Sequence, residues 1–265
     1  MAPQLQCEAA LFSPTTGILD SHALMSVLEA QFQNLGGEIA LHTQVENLER
    51  LADGTFRITT RTTPQAGKTG TNGTTTVTSK YLVIAAGLHA TILADKLHSQ
   101  PIPKAGRPAT DTYKPPRTYY AKGHYFTLNK PAPFENLIYP LPSKTGLGIH
   151  LTLGLDGSSR FGPDVGWTKT LDYRFEDNDG VRLKAFENAI RRYLPDLPKA
   201  ALAPDSTGIR PRTYDQAEPV ADFAIHGPAR HKMQNMVALY GIESPGLTGA
   251  LAIAPLVAKL LRTKP

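Results

Sequence analysis

The 265-residue sequence has a single cysteine, Cys7, and no apolar run as long as the about 18 residues of a membrane-spanning helix. One cysteine excludes an internal disulfide and a multi-cysteine metal site. Charged residues make up only 19% of the chain, and the net charge of +5 is spread along it. This charge is too weak to indicate a nucleic-acid partner, although it suits a small anionic ligand. The sequence therefore predicts a protein without a transmembrane segment.

The composition that remains is typical of a folded α/β or α+β protein. Hydrophobic residues account for 41%, which is enough to bury a substantial core. The chain has 22 glycines and 22 prolines, so it contains many turns, which argues against a helical bundle.

The first hundred residues alternate between strand and helix patterns. Apolar residues at spacings of three and four predict a helix that Asp20 or Ser21 begins and Gly36-Gly37 ends. The continuous apolar run at 80–85, followed by Ala86-Gly87, predicts a buried strand, a tight turn and a helix over 88–97. Strands are also predicted at 8–12, 38–42, 45–51 and 55–62, and a surface loop at 63–76.

The middle of the chain predicts an antiparallel sheet, and the last part returns to a mixed pattern. After a proline-rich stretch at 101–116, strands are expected at 119–128, 137–141, 146–153 and 159–161, then a helix from Asp179 or Gly180 to about residue 194. Later strands are expected at 207–212, 220–225 and 236–240. A terminal helix over 247–261 contains Pro255, which predicts a kink or two helical pieces.

The sequence contains only incomplete versions of nucleotide-binding and nucleophile motifs. Gly67-Lys68-Thr69 resembles the end of a phosphate-binding loop, but the required glycine is replaced by Thr62. Ser244 lacks the flanking glycine of a nucleophile elbow, since position 242 is Ile. No strand–GxGxxG–helix pattern occurs in the 265 residues.

Seven segments nevertheless occur together in the order of one known family. The C-terminal segment at 240–254, Tyr-Gly-Ile-Glu-Ser-Pro-Gly-Leu-Thr and the helix after it, resembles the last flavin-contacting loop of the D-amino-acid-oxidase-like FAD-dependent oxidoreductases. Within that superfamily the chain is most similar to the L-2-hydroxyglutarate dehydrogenases. The other matching segments are 13–20, 121–126, 137–142, 147–152, 161–164 and 208–212.

The resemblance implies an incomplete FAD-binding fold in the α+β (mixed α/β) class, with an antiparallel-sheet substrate domain. Residues 1–100 and 206–265 would belong to the FAD-binding domain, and residues 101–205 mainly to the substrate domain. The family's opening glycine-rich βαβ segment, which holds the FAD pyrophosphate, is not found in the sequence. We therefore expect the chain on its own to leave apolar helix faces exposed and to purify with little FAD.

Four segments are the candidate cofactor contacts. A helix beginning at Gly246, with the amides of Leu247 and Thr248, would carry a partial positive charge suited to the reduced flavin, and Ser244 precedes it in the same loop. The resemblance places Ala86 and Gly87 near the FAD phosphates and the main chain of Val45 near adenine. Thr16 and Gly17 match a further segment close to the flavin. For Val45, an ordinary core position explains the pattern at least as well.

The candidate catalytic residues are Arg210, His150, Tyr125 and Tyr139. Arg210 has the planar guanidinium that can hold a substrate carboxylate, with Arg212 as the alternative. His150 could accept the hydroxyl proton as the hydride leaves, because imidazole titrates near neutral pH. The two tyrosines would position the substrate. Lys122 and His124 are alternatives in either role.

Several functions remain open at this stage. The first is an FAD-dependent dehydrogenase that oxidises L-2-hydroxyglutarate to 2-oxoglutarate and passes electrons to an acceptor such as a quinone. The second is an amino-acid or amine oxidase of the same superfamily, and the third a non-catalytic fragment that binds no FAD alone. The resemblance implies a mitochondrial protein if its source is eukaryotic and otherwise a cytoplasmic one, although the first residues carry no presequence pattern.

Overall fold

The computed structural model describes residues 4–64, 72–99, 113–132, 134–141 and 148–263. Its helices are α1 (Ser21–Asn34), a 3₁₀ turn (Gly87–His89), α2 (Ala90–His98), α3 (Val181–Arg191), α4 (Pro228–His231) and α5 (Gly246–Leu261). Its strands are β1 (Thr43–Arg50), β2 (Phe56–Thr62), β3 (Gly73–Ser79), β4 (Leu82–Ile84), β5 (Tyr119–Leu128), β6 (His150–Leu153), β7 (Ser159–Gly162), β8 (Gly166–Thr168), β9 (Leu202–Arg212), β10 (Ala224–His226) and β11 (Met236–Tyr240).

The chain forms two compact units. The first contains Met1–Glu38 and Ala121–Ile209, and the second contains Ile39–Tyr120 and Arg210–Pro265. Helices and antiparallel sheets occur in the same chain, which confirms the predicted mixed fold class. The assignment of 1–100, 101–205 and 206–265 to FAD and substrate domains stays a prediction.

The first unit is built on a five-stranded sheet in the order β6-β7-β5-β8, with β9 paired to β5. Phe126 pairs with Phe161, which also pairs with Leu151, and all three side chains are fully buried. Helix α3 covers this side of the sheet with Phe186 and Ile190, which are four residues apart and so lie on one helix face. Each such side chain contributes about 1.5–3 kcal/mol through its removal from water.

The second unit contains two three-stranded sheets, β1-β2-β3 and β10-β11-β4. The first is an antiparallel meander, whereas β11 pairs with β4 in parallel. Helix α2 contributes Ala90, Ala94 and Leu97, which recur at three and four residues and are buried against the second core. All five residues of β11 are buried, so this strand is the centre of the unit.

Two helices expose apolar side chains, as the sequence predicts. None of the 14 residues of α1 is buried, and Met25, Leu28 and Phe32 are exposed. In α5 only Gly246 is buried, and Leu247 and Leu251 are more than half exposed. An apolar helix face gains stability when its side chains are removed from water. Within the described residues, the apolar faces of α1 and α5 remain largely exposed and do not gain this stability.

Two predicted strands are wrong, and so is the last part of one predicted loop. Residues 8–12 form no strand, because no other strand pairs with them and Leu11 and Phe12 are exposed. Residues 38–42 form no strand either, and β1 begins only at Thr43. Of the loop expected at 63–76, residues 65–71 lie outside the described part, while residues 73–76 belong to β3 because they pair with β2.

Other boundaries shift where pairing partners decide them. The strand expected at 137–141 is reduced to a single bridge between Ile138 and Leu151, and β9 begins five residues before its predicted start at 207. Strand β8 and helix α4 were not predicted. Helix α5 continues across Pro255, so the alternative of two helical pieces is wrong.

Candidate functional site

The parallel pairing of β4 with β11 brings two candidate cofactor segments together. Ile84 lies beside Ala238, so both strands end at the same edge of the sheet. The turn with Ala86 and Gly87 follows β4, and the loop that starts at Gly241 follows β11. Ligands of open α/β sheets bind outside the carboxyl ends of parallel strands. The geometry therefore makes this edge the candidate cofactor site of the second unit.

The loop at 241–245, here called the flavin-loop candidate, begins at Gly241 and is followed by Gly246, and both positions need glycine. Gly241 has a φ of +64°, and a Cβ atom there would lie 2.8 Å from the Thr213 side chain. A Cβ atom at Gly246 would lie 2.8 Å from the Ile242 side chain. Both positions are closed to larger residues because neighbouring side chains already fill the space.

The first turn of α5 leaves backbone donors available. The Gly246 amide donates to the Glu243 carbonyl, and the Gly249 amide donates to the Pro245 carbonyl. Within the described residues, the amides of Leu247 and Thr248 have no backbone acceptor, and both residues are exposed. Ser244 is exposed beside them. Free amides at a helix N-terminus favour a negatively charged group, although this feature alone does not identify one.

Glu243 is a site residue that the sequence reasoning missed. Its Oε2 accepts from Nε of Arg212 at 3.3 Å, and its Oε1 accepts from the Tyr214 hydroxyl at 3.3 Å. The Arg212 guanidinium also lies 5.1 Å from the centre of the Tyr214 ring. The sequence did offer a clue to this pair: Glu243 is the acidic residue of the matching 240–254 segment, and Arg212 ends the matching 208–212 segment.

The charges around Tyr214 act in opposite directions. Burial raises the pKa of the Tyr214 phenol and the Glu243 carboxylate raises it further, whereas the charges of Arg212 and Arg210 lower it. Because the Arg212 guanidinium is already paired with Glu243, Arg212 is a weaker candidate than Arg210 for binding the substrate carboxylate. Within the described residues, the partly buried Arg210 has neither a hydrogen bond nor an ion pair through its side chain.

Val45 and Ala86 both pack against the second core. Val45 lies in β1 opposite Thr60, next to a β-bulge, and its side chain contacts the cluster that contains Leu48 and Ile84. The side chain of Val45 is therefore a packing element, and its predicted main-chain contact with adenine stays a prediction. Gly87 has a φ of +52° at the start of the 3₁₀ turn, where its backbone is exposed.

The first unit places Tyr125, Tyr139 and His150 together. The ring of Tyr139 lies 4.2 Å from the imidazole of His150, measured between centroids. His150 pairs with Gly162, and a Cβ atom at Gly162 would lie 2.8 Å from the Tyr125 ring. Because side chains alternate along a strand, Tyr125 and His150 lie on the face opposite to Phe126 and Leu151. This face is the candidate substrate wall.

Lys122 and His124 do not share that face. His124 is 2% exposed, and Asp164 Oδ1 accepts from its backbone amide at 2.7 Å and lies 2.9 Å from its Nδ1. Arg182 donates to the other oxygen of Asp164 at 2.8 Å. Burial lowers the pKa of His124 against the opposing effect of Asp164. Lys122 donates to the Arg174 carbonyl at 2.6 Å. The side chains of Lys122 and His124, the alternative candidates for substrate binding or proton transfer, therefore both make structural contacts.

Thr16 and Gly17 lie in the exposed segment before α1, where the Thr16 hydroxyl is hydrogen-bonded to that of Ser13. Arg210, the predicted carboxylate binder, belongs to the second unit, whereas the three residues of the substrate wall belong to the first. The described residues contain no cluster of three or more His, Cys, Asp or Glu residues suited to a metal ion. No helix among them is long and apolar enough to cross a bilayer.

Comparisons with known proteins give the chain a family. A family model for FAD-dependent oxidoreductases (DAO) matches residues 1–260. Mitochondrial L-2-hydroxyglutarate dehydrogenase from Arabidopsis thaliana is 35% identical over 301 residues, and the match covers 99% of this chain. The chain spans 58% of that relative's length.

Solved structures show the same fold. L-α-glycerophosphate oxidase from Mycoplasma pneumoniae with FAD bound has a TM-score of 0.66 at 24% identity, over 90% of this chain and 55% of that one. L-proline dehydrogenase from P. horikoshii has a TM-score of 0.70 at 15% identity, over 98% of this chain and 61% of that one. Since the family model extends over nearly the whole sequence, this chain belongs to the DAO family of FAD-dependent oxidoreductases.

Proposed function

We propose that the protein acts in the FAD-dependent oxidation of L-2-hydroxyglutarate to 2-oxoglutarate, with electrons passing on to an acceptor such as a quinone. The observation that carries the proposal is the parallel pairing of β4 and β11, which places the Ala86–Gly87 turn beside the flavin-loop candidate. The substrate comes from the 35% identity to the Arabidopsis dehydrogenase. The mitochondrial location of that relative supports a mitochondrial site of action.

The residues present fit one part of FAD. The exposed amides of Leu247 and Thr248 can stabilise negative charge on the pyrimidine edge of the ring system, as an oxyanion hole does. Gly87, with its exposed backbone, permits close approach of a phosphate. A glycine-rich βαβ pattern for the pyrophosphate does not occur in the 265 residues. When bound, the flavin supplies the hydride acceptor.

The substrate is a dicarboxylate with a hydroxyl group, and the proposed residues match these groups. Arg210 holds one carboxylate through two charge-assisted hydrogen bonds. His150 accepts the hydroxyl proton, with its ring stabilised by the Tyr139 ring 4.2 Å away. The Tyr125 and Tyr139 side chains orient the substrate against the candidate substrate wall.

A fragment that binds no FAD by itself is the second candidate function. It is favoured by the exposed apolar side chains of α1 and α5. An amino-acid oxidase is favoured by the fold shared with L-proline dehydrogenase at 15% identity and with two glycine oxidases at 16% and 18% identity. We rank it lower because a shared fold does not determine the substrate.

The experiment compares the 265-residue chain with a form extended by the residues encoded directly upstream. Each is purified, loaded with FAD and tested for dye reduction with L-2-hydroxyglutarate, D-2-hydroxyglutarate, glycine and L-proline. We expect flavin and activity with the L-hydroxy acid in the extended form and little of either in the chain alone. Reduction by glycine or L-proline but not by the hydroxy acid would overturn the proposed substrate.

A further inference from the structure

We propose that Glu243 is a positioning residue, which holds the flavin-loop candidate in place through Arg212 and Tyr214. This inference rests on the proposed function only in giving the loop its task at the flavin. The positioning itself concerns contacts within the second unit and is testable without a cofactor.

The side chain of Glu243 is fixed at both of its oxygens. Arg212 Nε donates to Oε2 and the Tyr214 hydroxyl donates to Oε1, each at 3.3 Å. The side chains of Glu243 and Arg212 are 12% and 14% exposed, and Tyr214 is 6% exposed. Water screens such a pair far less than a surface ion pair, so the contact fixes geometry as well as charge.

The backbone of Glu243 passes this restraint to both ends of the loop. Its amide donates to the Gly241 carbonyl at 2.9 Å, and its own carbonyl accepts from the Gly246 amide. Gly241 continues β11 and Gly246 begins α5. A residue held at its carboxylate by Arg212 therefore sets the position of the first α5 amides relative to the sheet edge.

The same contact separates the roles of the two neighbouring arginines. Glu243 compensates the charge of Arg212, while Arg210 has no acidic partner among the described residues. The geometry thus leaves Arg210 as the cation available to an anionic ligand. Loss of the Glu243 charge would remove the acidic partner of Arg212 that lies two residues from Arg210, and would change the selectivity of this region for carboxylates.

The test measures hydrogen exchange of the full 265-residue chain without FAD. In E243Q we expect exchange of the Gly246 and Gly249 amides to rise about tenfold, while β11 amides keep their protection. Tyr214→Phe removes one of the two bonds and should give a smaller rise at the same amides. Unchanged exchange at Gly246 and Gly249 in both variants would overturn the proposal.

A control and a rescue separate positioning from general stability. Glu49→Gln breaks an exposed pair with Arg57 in the other sheet of the unit and should leave the loop amides unchanged. The double variant R212E/E243R restores opposite charges and should recover protection that either single reversal loses. Failure of this rescue, with both single variants folded, would count against the pairing as the cause.

Adding FAD to the wild-type chain and to its extended form tests the proposed function separately. Protection of residues 244–248 by FAD in either form supports the flavin site, and FAD affinity should then fall about tenfold in E243Q. If FAD protects neither form while E243Q still loosens the loop, the flavin assignment fails and the positioning role stands. If the exchange without FAD and the protection by FAD are both the same in wild type and E243Q, the positioning role fails while the flavin site stands.

Discussion

The Tyr139 ring lies against the His150 imidazole, with centroids 4.2 Å apart and ring planes inclined by 59°. The two residues come from separate parts of the chain that meet at the bridge between Ile138 and Leu151. This contact fixes the imidazole on the face of the sheet that also carries Tyr125. It brings two predicted catalytic residues of the first unit into direct contact.

We expect His150→Gln to lower kcat about 100-fold or more in the flavin-loaded extended protein, since proton transfer to a positioned base contributes that much. His22→Gln, on the exposed side of α1, is the matched control and should leave kcat unchanged. A His150→Gln enzyme with wild-type kcat would remove His150 from the mechanism.

Arg210→Ala should raise the KM for L-2-hydroxyglutarate about 10- to 100-fold, because a charge-assisted bidentate contact to a carboxylate is lost. Arg210→Lys should recover only part of this loss, since an ammonium group lacks the planar fork. Flavin content should stay the same, and Arg262→Ala, at an exposed position, should change nothing. An unchanged KM in Arg210→Ala would exclude Arg210 from the substrate site.

The 265-residue chain purified alone should contain far less than one FAD per molecule, because its sequence lacks the glycine-rich pyrophosphate segment. The exposed Leu28 and Phe32 of α1 should also promote self-association, and changing both to Gln should reduce it with little change in stability. The measurements are the flavin-to-protein ratio and light scattering after gel filtration. Tight co-elution of stoichiometric FAD would contradict this expectation.

A substitution on the buried face of α3, unlike those on the exposed face of α1, should lower stability strongly. Phe186→Ala should lower the free energy of unfolding by about 3–5 kcal/mol, because Phe186 is 1% exposed and packs against Phe126 in the first core. Urea titration of the full chain gives this value. A loss below about 1 kcal/mol would show that the first core is not packed as described.

Acid should destabilise the second unit through His231. Burial lowers the pKa of His231 to about 4, against about 6.5 in an unfolded chain, and Met233 donates its amide to His231 Nδ1. Above about pH 6.5 the imidazole is neutral in both states, so its contribution is fully present. Between about pH 6.5 and 4 the unfolded state binds the proton, so stability falls by on the order of 3 kcal/mol.

The variant His231→Asn removes this titration and keeps an acceptor for the Met233 amide. Its free energy of unfolding should therefore change less between pH 7 and pH 4.5 than that of the wild type, when both are measured by urea titration. His22→Asn, at an exposed position of α1, should retain the full pH dependence. An identical loss in wild type and His231→Asn would show that other groups cause it.

Local patterns predicted the elements whose signals are self-contained. The helix that begins after Asp20, the strand at 236–240 and the helix starting beside Gly180 follow from capping, apolar runs and periodicity, and the structure confirms all three. The expected strands at 8–12 and 38–42 failed because a strand needs a hydrogen-bonding neighbour, which local sequence does not reveal. Strand β8 was missed for the same reason, since its three residues are defined by pairing with β5.

The sequence by itself determined the mixed fold class, the family resemblance and the residue types able to bind FAD and a carboxylate. Only the tertiary structure decided that Ala86 and Gly246 belong to one sheet edge, that His124 is buried against Asp164, and that Glu243 holds Arg212. These relationships join residues 31 to 160 positions apart in the chain. Local propensity acts over a few residues, whereas strand pairing and side-chain burial bring distant segments into contact.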